Sequence, residues 1–209
     1  MFAQRLSFPS LRAAPALIFL ALALPLLAGC GFNTIPTAEE QAKASWSEVL
    51  NQYQRRADLI PNLVETVKGY ASHERETLES VVEARARATQ VTLPPDALND
   101  PAKFKAFQDS QSGLTSALSR LLAVVENYPD LKANQNFLAL QAQLEGTENR
   151  IAVARRDYIE SVRVYNTTLR TFPSLIWAKL WFTTNEPFQN FTVAEDKIET
   201  PKVDFGSGG

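Results

Sequence analysis

Six apolar residues recur at intervals of seven: Phe137, Leu144, Ile151, Tyr158, Tyr165 and Phe172. Five consecutive seven-residue steps keep one stripe of a helix against a neighbour, near-parallel to it and with a slight left-handed supercoil. The positions between them are Leu140, Thr147, Ala154, Ser161 and Thr168. Most of these are small, so the neighbouring helix can approach closely.

A second stripe precedes it. Trp46, Leu50, Tyr53, Ala57, Ile60, Val64, Val67, Ala71, Leu78 and Val81 follow alternating steps of three and four, with Glu74 as the one miss. This is the periodicity of a helix that buries one face. Pro61 interrupts it and allows two readings. Asp58 could cap a new helix with Pro61 in its first turn, where no amide donor is needed. Alternatively Pro61 kinks one continuous helix, at a cost of about 3 kcal/mol. The stripe keeps phase through the proline, which favours the kink. A single helix from 38 to 89 would be roughly 78 Å long at 1.5 Å per residue, which favours the break.

Further along, Pro94, Pro95, Asn99 and Pro101 mark a loop. Phe104, Phe107, Leu114, Leu118, Leu121 and Val125 mark a second helix, and Pro129-Asp130 caps a third. Phe172-Pro173-Ser174 stops that helix. A short apolar segment, Leu175 to Phe182, follows. A tail carrying Phe188, Phe191, Val193, Ile198, Val203 and Phe205 is expected to lie extended along the bundle. The Gly-Ser-Gly-Gly end, 206–209, is expected to be disordered.

Composition removes much enzyme chemistry. The 209 residues include one cysteine and one histidine, which excludes an internal disulfide, a zinc-cysteine site and multi-histidine metal centres. With 21 basic and 23 acidic residues there is no strong field for nucleic acid. His73-Glu74 invites a catalytic pairing, but adjacent helix residues point to different faces and no nucleophile has a recognisable elbow. The zinc-protease pattern HExxH is absent, as are phosphate-binding glycine loops. No cofactor and no metal are expected, and the chain does not read as an enzyme.

The N-terminus reads as an address. Arg5 and Arg12 precede an uncharged, Ala/Leu-rich run from Ala13 to Leu27, and no charge occurs between Arg12 and Glu39. A basic start, a short apolar stretch and small residues make a secretory signal. A membrane span needs about 20 apolar residues and is the alternative reading. Leu27-Ala28-Gly29-Cys30 resembles the bacterial lipobox, in which the cysteine is lipidated and becomes the first mature residue. Residues 1–29 would then be a lipoprotein signal peptide and 30–37 a tether. Two or three acyl chains on Cys30 anchor a protein stably where one does not. Cleavage would also remove Arg5 and Arg12, taking the net charge from −2 to −4. Gly31, rather than Asp, at the second mature position mildly favours the outer membrane if the organism is Gram-negative.

The segment Gln54-Arg55-Arg56-Ala57-Asp58-Leu59-Ile60-Pro61-Asn62-Leu63-Val64-Glu65, continuing to Glu74, closely resembles the signature of the LemA family. A second block agrees: Glu148-Asn149-Arg150-Ile151-Ala152-Val153-Ala154-Arg155-Arg156-Asp157-Tyr158, then Val164-Tyr165-Asn166 and Phe172-Pro173-Ser174. The resemblance spans about residues 38 to 205. It implies an all-α fold, an antiparallel bundle of three to four long helices held at a bacterial envelope membrane. It brings no catalytic residues. Many members begin with a transmembrane helix, and here a lipoprotein signal stands in its place.

The polar residues within these blocks need partners. Arg55, Arg56, Asp58 and Asn62 surround the proline, Glu74 takes a stripe position with Arg85 on the same stripe, and Glu148, Asn149, Arg150 and Arg155 lie on the third long helix. One reading makes them inter-helix pairs that fix register. The other makes them a ligand or partner pocket near Pro61. Trp177 and Trp181, spaced i, i+4, are candidates for a membrane-interface helix, against the alternative of a short helix folded onto the bundle end. The expected function is a non-catalytic, lipid-anchored scaffold or adaptor for an envelope protein partner, facing the periplasm or exterior. A bundle that binds a small ligand or lipid at Thr147, Ala154, Ser161 and Thr168 is the alternative. Self-association is expected if helix 38–60 finds no partner within the chain.

Overall fold

The computed structural model describes residues 31–191. Four long helices carry the fold: α1 (Thr34–Lys68), α2 (Arg75–Gln90), α3 (Pro101–Val125) and α5 (Gln135–Thr168). A one-turn α4 (Pro129–Lys132) and a short α6 (Ser174–Leu180) complete the set, with a 3-10 turn at Pro95–Ala97. Ser45 faces Ser161 and Arg56 faces Glu148, so α1 and α5 run antiparallel along most of their lengths. Arg85 reaches Ala57, and Gln111 reaches Ala88, so α2 folds back beside the second half of α1 and α3 folds back beside α2. The fold is the all-helical antiparallel bundle that the stripes and the resemblance imply.

The first helix is continuous through Pro61 and stops at Gly69. Proline has no N–H to give the carbonyl four residues back, which here is Ala57 O. Arg85 Nε donates to that same oxygen at 2.8 Å. The side chain of the neighbouring helix thus satisfies the acceptor that the proline orphans, and α1 survives the kink without a buried, unpaired carbonyl. Asp58 is therefore no N-cap. It is exposed in mid-helix and accepts from Gln54 Nε2 at 2.7 Å. The break falls instead at 69–74. Ala71 is buried there, and Glu74 takes the turn before α2, accepting from the Tyr128 hydroxyl at 2.9 Å.

This arrangement makes the Pro61–Arg85 link measurable. Arg85→Ala should cost about 1–2 kcal/mol, the scale of an acceptor left without its donor. In a Pro61→Ala background, where the helix supplies its own N–H, the same change should cost almost nothing. Urea unfolding of the four proteins in the cycle gives the coupling.

Other expectations shift. Residues 34–37 form the first turn of α1 rather than tether, and Ile35 is fully buried. Pro129-Asp130 opens only α4. The third long helix starts after Asn134, whose Oδ1 accepts from Phe137 N at 3.0 Å. Phe172 stands 79% exposed beyond the end of α5, which stops at Thr168, four residues short of it. The other five residues of that stripe are buried. Thr147, Ala154 and Thr168 between them are buried, Ser45 Oγ and Ser161 Oγ lie 2.8 Å apart, and none of these small residues lines the cavities between α3 and α5. The N-terminal half of α1 finds α5 as its partner, which removes the condition for self-association.

The tail is extended as far as Phe191 and is pinned by polar pairs. Asn166 exchanges two hydrogen bonds of 2.9 Å with the Phe188 backbone, and Gln189 N donates to Leu98 O at 2.8 Å. The proposed signal, Cys30 and the remainder of the tail lie outside the described residues.

Candidate functional site

Two apolar cores lie one above the other. The upper contains Trp46, Phe104, Phe107, Tyr158 and Tyr165, and the lower contains Ile60, Leu63, Leu114, Leu121 and Val125. Arg56 and Gln111 form a polar layer between them. On α1 the buried positions Val49, Tyr53, Arg56, Ile60, Leu63 and Val67 alternate steps of four and three. Arg56 thus occupies a core position on helical spacing. On α3, Phe104, Phe107, Gln111, Leu114, Leu118, Leu121 and Val125 do the same, with Gln111 in the seam.

Arg56 is 1% exposed. Its Nη1 donates to Glu148 Oε1 at 2.9 Å and to Thr115 Oγ1 at 3.0 Å. Its Nη2 donates to Gln111 Oε1 at 2.7 Å and to Gln111 O at 3.4 Å. Gln111 Nε2 passes the chain on to Ala88 O at 3.0 Å. The guanidinium also lies 5.0 Å from the Tyr53 ring centroid. Four helices thereby meet at one cation. Its Nε alone is buried without a partner.

This layer forms the floor of a cleft. Helices α3 and α5 have few close backbone approaches and meet through side chains such as Phe104 and Tyr158, whose ring centroids are 6.3 Å apart. The upper part of the gap, about 680 Å³, lies over Tyr53, Arg56, Phe104, Glu148 and Arg155, with Phe191 closing its end. The lower part, about 410 Å³, is lined mainly by Leu118, Leu122 and Leu144, with Gln141 and Asn149 at the rim. Thr115 and Glu148 border both. From Phe104 to Leu122 the gap follows α3 for about 27 Å at the helical rise. One end is charged and aromatic and the other is apolar.

The polar residues named from sequence divide. Arg56 and Glu148 come together, and Arg155 stacks over the Phe191 ring at 4.2 Å in the cleft wall. Arg55, Asp58 and Asn62 are exposed on the outer face of α1. Arg150 lies on the surface and bridges Gln52 Oε1 at 3.2 Å and Thr147 Oγ1 at 3.0 Å. Trp177 is tucked against Phe32, with ring centroids 5.4 Å apart and edge-on, whereas Trp181 is 72% exposed. His73 is exposed in the turn. Gln111 and Thr115 were not singled out from sequence. The signal for Gln111 was its place in the α3 stripe, where a polar residue interrupts an otherwise apolar seam.

Burial raises the phenols of Tyr53, Tyr158 and Tyr165 above the ordinary tyrosine value of 10.0. Tyr158, whose hydroxyl donates to Gln189 O at 2.8 Å, is shifted furthest. A raised acid stays neutral in the fold while it ionises in the unfolded chain. The stability these groups contribute is therefore complete below pH about 10 and falls as the pH climbs above it. Stability should hold to pH about 9 and decline beyond. The ionisation of these three tyrosines, followed by absorbance, should coincide with unfolding rather than precede it.

Among the described residues no group of three potential ligand side chains gathers as a metal site, and no helix is long and apolar enough to cross a membrane. Fold and cleft define an antiparallel helical bundle left open along one lateral face, with a buried cation at the floor of the opening. Residues 45–205 match the LemA family, and the chain belongs to that family. Among curated relatives it is 27% identical to Magnetosome protein MamQ 2 of Paramagnetospirillum magneticum, over 82% of this chain and 70% of the relative. The Magnetosome protein MamQ of Magnetospirillum gryphiswaldense matches with the same identity and shares. Protein LemA of Metamycoplasma hominis is 28% identical over 57% of this chain and 50% of its own length.

Proposed function

We propose that the chain is a membrane-anchored lipoprotein of the bacterial envelope that works as a non-catalytic adaptor, receiving a segment of a partner protein in the α3–α5 cleft. The observation that carries this reading is the open lateral face. A bundle buries each apolar stripe against a neighbour, and here Leu118 and Leu144, buried in the lower core, and Leu122, packed against it, also edge a groove that follows α3 for about 27 Å. An amphipathic helix laid into such a groove is a recurring mode of recognition, and the polar upper end supplies groups that fix its direction. The lipobox-like Leu27-Ala28-Gly29-Cys30 supports an anchor at Cys30. Gly31 has a structural reason of its own, since its φ is +101° and a Cβ there would stand 3.1 Å from Pro173 Cγ. That weakens its value as a sign of outer-membrane sorting.

A photo-crosslinker at Gln108 or Ser119, on the cleft rim, tests the adaptor reading in native membranes. Discrete protein adducts are expected from these positions and not from Arg87 on the outer surface of α2. Adducts to lipid alone would turn the reading toward lipid binding in the apolar half. Equal labelling from all three positions would overturn the cleft as the site.

A further inference from the structure

The end of the bundle that carries residue 31 also carries an exposed apolar face, touched among the described residues by Phe32 at the edge of Trp181, 6.4 Å between ring centroids. Ile176 and Leu180, four apart in α6, are 46% and 69% exposed, and Phe172, just before the helix, is 79% exposed. Trp181 continues the patch at 72%. The other side of the segment is well held. Trp177, Ala178 and Phe182 pack on the upper core, and Phe32 sets its ring against Trp177 and Phe182 at 5.4 and 5.2 Å. The exposed residues therefore belong to an anchored element with a defined outer face. Four large apolar side chains together on a surface ask for a cover.

The chain itself indicates the cover. Gly31 lies against the start of α6, with a built Cβ 3.1 Å from Pro173 Cγ and 3.2 Å from Ser174 Oγ. The peptide link keeps the Cα of Cys30 about 3.8 Å from that of Gly31. In the anchored reading, whether by an acylated cysteine or an uncleaved span, a bilayer lies at residue 30. Charge agrees with this placement. From Ser161 to Asn185 the sequence has Arg163, Arg170 and Lys179 and no acidic residue. Arg170, just before the patch in sequence, and Lys179, within it, are exposed, where long cationic side chains can reach lipid phosphates.

We infer that this face is a membrane-docking surface: Phe172, Ile176, Leu180 and Trp181 enter the interfacial layer of the bilayer to which residue 30 is tied. This deepens the anchored reading and rests on it for the position of the membrane. Anchor and patch together hold the bundle by one end. The charged half of the α3–α5 cleft then faces toward the membrane, and the turn at 69–74 points away from it.

The test uses the full chain, processed in cells, in phosphatidylethanolamine–phosphatidylglycerol vesicles containing brominated lipids. A Trp177→Phe variant leaves buried Trp46 as an internal control beside Trp181. Bromines about 5–10 Å below the headgroups should quench Trp181 most strongly, the depth at which interfacial apolar faces sit. Trp46 should stay unquenched. A Phe172→Asp, Leu180→Asp variant changes only exposed side chains, and should keep its helical circular dichroism and lose the quenching. Flotation with the vesicles and the acyl mass on Cys30 score the anchor separately. Quenching of Trp181 supports docking whether or not Cys30 carries lipid. A chain that floats while Trp181 is as insensitive as Trp46 overturns docking and leaves the anchor standing. A chain that neither floats nor quenches overturns both.

Discussion

Trp46→Ala is expected to lower the unfolding free energy by about 4 kcal/mol, within the range for truncating a buried tryptophan. For a domain of this size that is a fall in Tm of about 10 °C. Trp46 is fully buried and central to the upper core. Its ring meets Tyr158 at 5.0 Å, Phe107 at 5.2 Å and Phe104 at 5.6 Å, so α1, α3 and α5 converge on it. Its Nε1 donates to Leu93 O at 2.8 Å and ties down the loop between α2 and α3. Above Gln90 the first turns of α3, that loop and the tail together cover the α1–α5 pair. Removing the indole opens a cavity and frees the loop carbonyl at once. Trp46→Phe keeps most of the volume and should cost roughly half as much, mainly through the lost donor. Urea titration with an unchanged slope would assign the loss to the native state. A loss under 1 kcal/mol would mean that the upper half of the bundle is not sealed as described.

The long helices were legible because burial imposes a period, and the period survives in the sequence. Five of the six residues in the α5 stripe are buried, and the stripe overran by one step because Phe172 follows the end of the helix. The continuity through Pro61 was readable from phase, but its means was not. Nothing in the sequence says that Arg85 would reach Ala57 O, because the contact joins two helices across a turn. The polar layer was half legible. Grouping charged residues by nearness to the proline collected Arg55, Asp58 and Asn62, which face water, along with Arg56, which does not. Placing each on the four–three spacing separates them, since only Arg56 shares a stripe with Tyr53 and Ile60. The cleft lies along the outer edges of two stripes, and a stripe read on one helix does not name its partner. The width of the buried face was the available clue. Helix α1 buries residues on two adjoining stripes, Val49-Tyr53-Arg56-Ile60 and Ala57-Val64, enough for two neighbours, whereas α3 adds only Ala117 to its single stripe.

Arg56→Met should cost about 3 kcal/mol, at the lower end of the range for breaking a buried ion pair. Three observations set that value. The guanidinium is the sole cation among the two cores and serves acceptors on α3 and α5, so its loss strips Gln111 Oε1 and Thr115 of a shared donor. Methionine fills most of the volume and limits the cavity. Glu148 keeps 44% of its side chain in water, so it can be solvated when the pair breaks. For the same reason Glu148→Gln should change stability by less than about 1 kcal/mol. Arg56→Met with Gln111→Leu should cost less than the two single changes together, because the double variant leaves no unpaired polar side chain facing the missing guanidinium. The same proteins divide a register role from a recognition role. If the layer sets register, stability falls with Arg56→Met and crosslinking from Gln108 and Ser119 falls with it, as the cleft walls lose their spacing. If stability is unchanged while the adducts vanish, Arg56 serves the partner and the register reading is wrong.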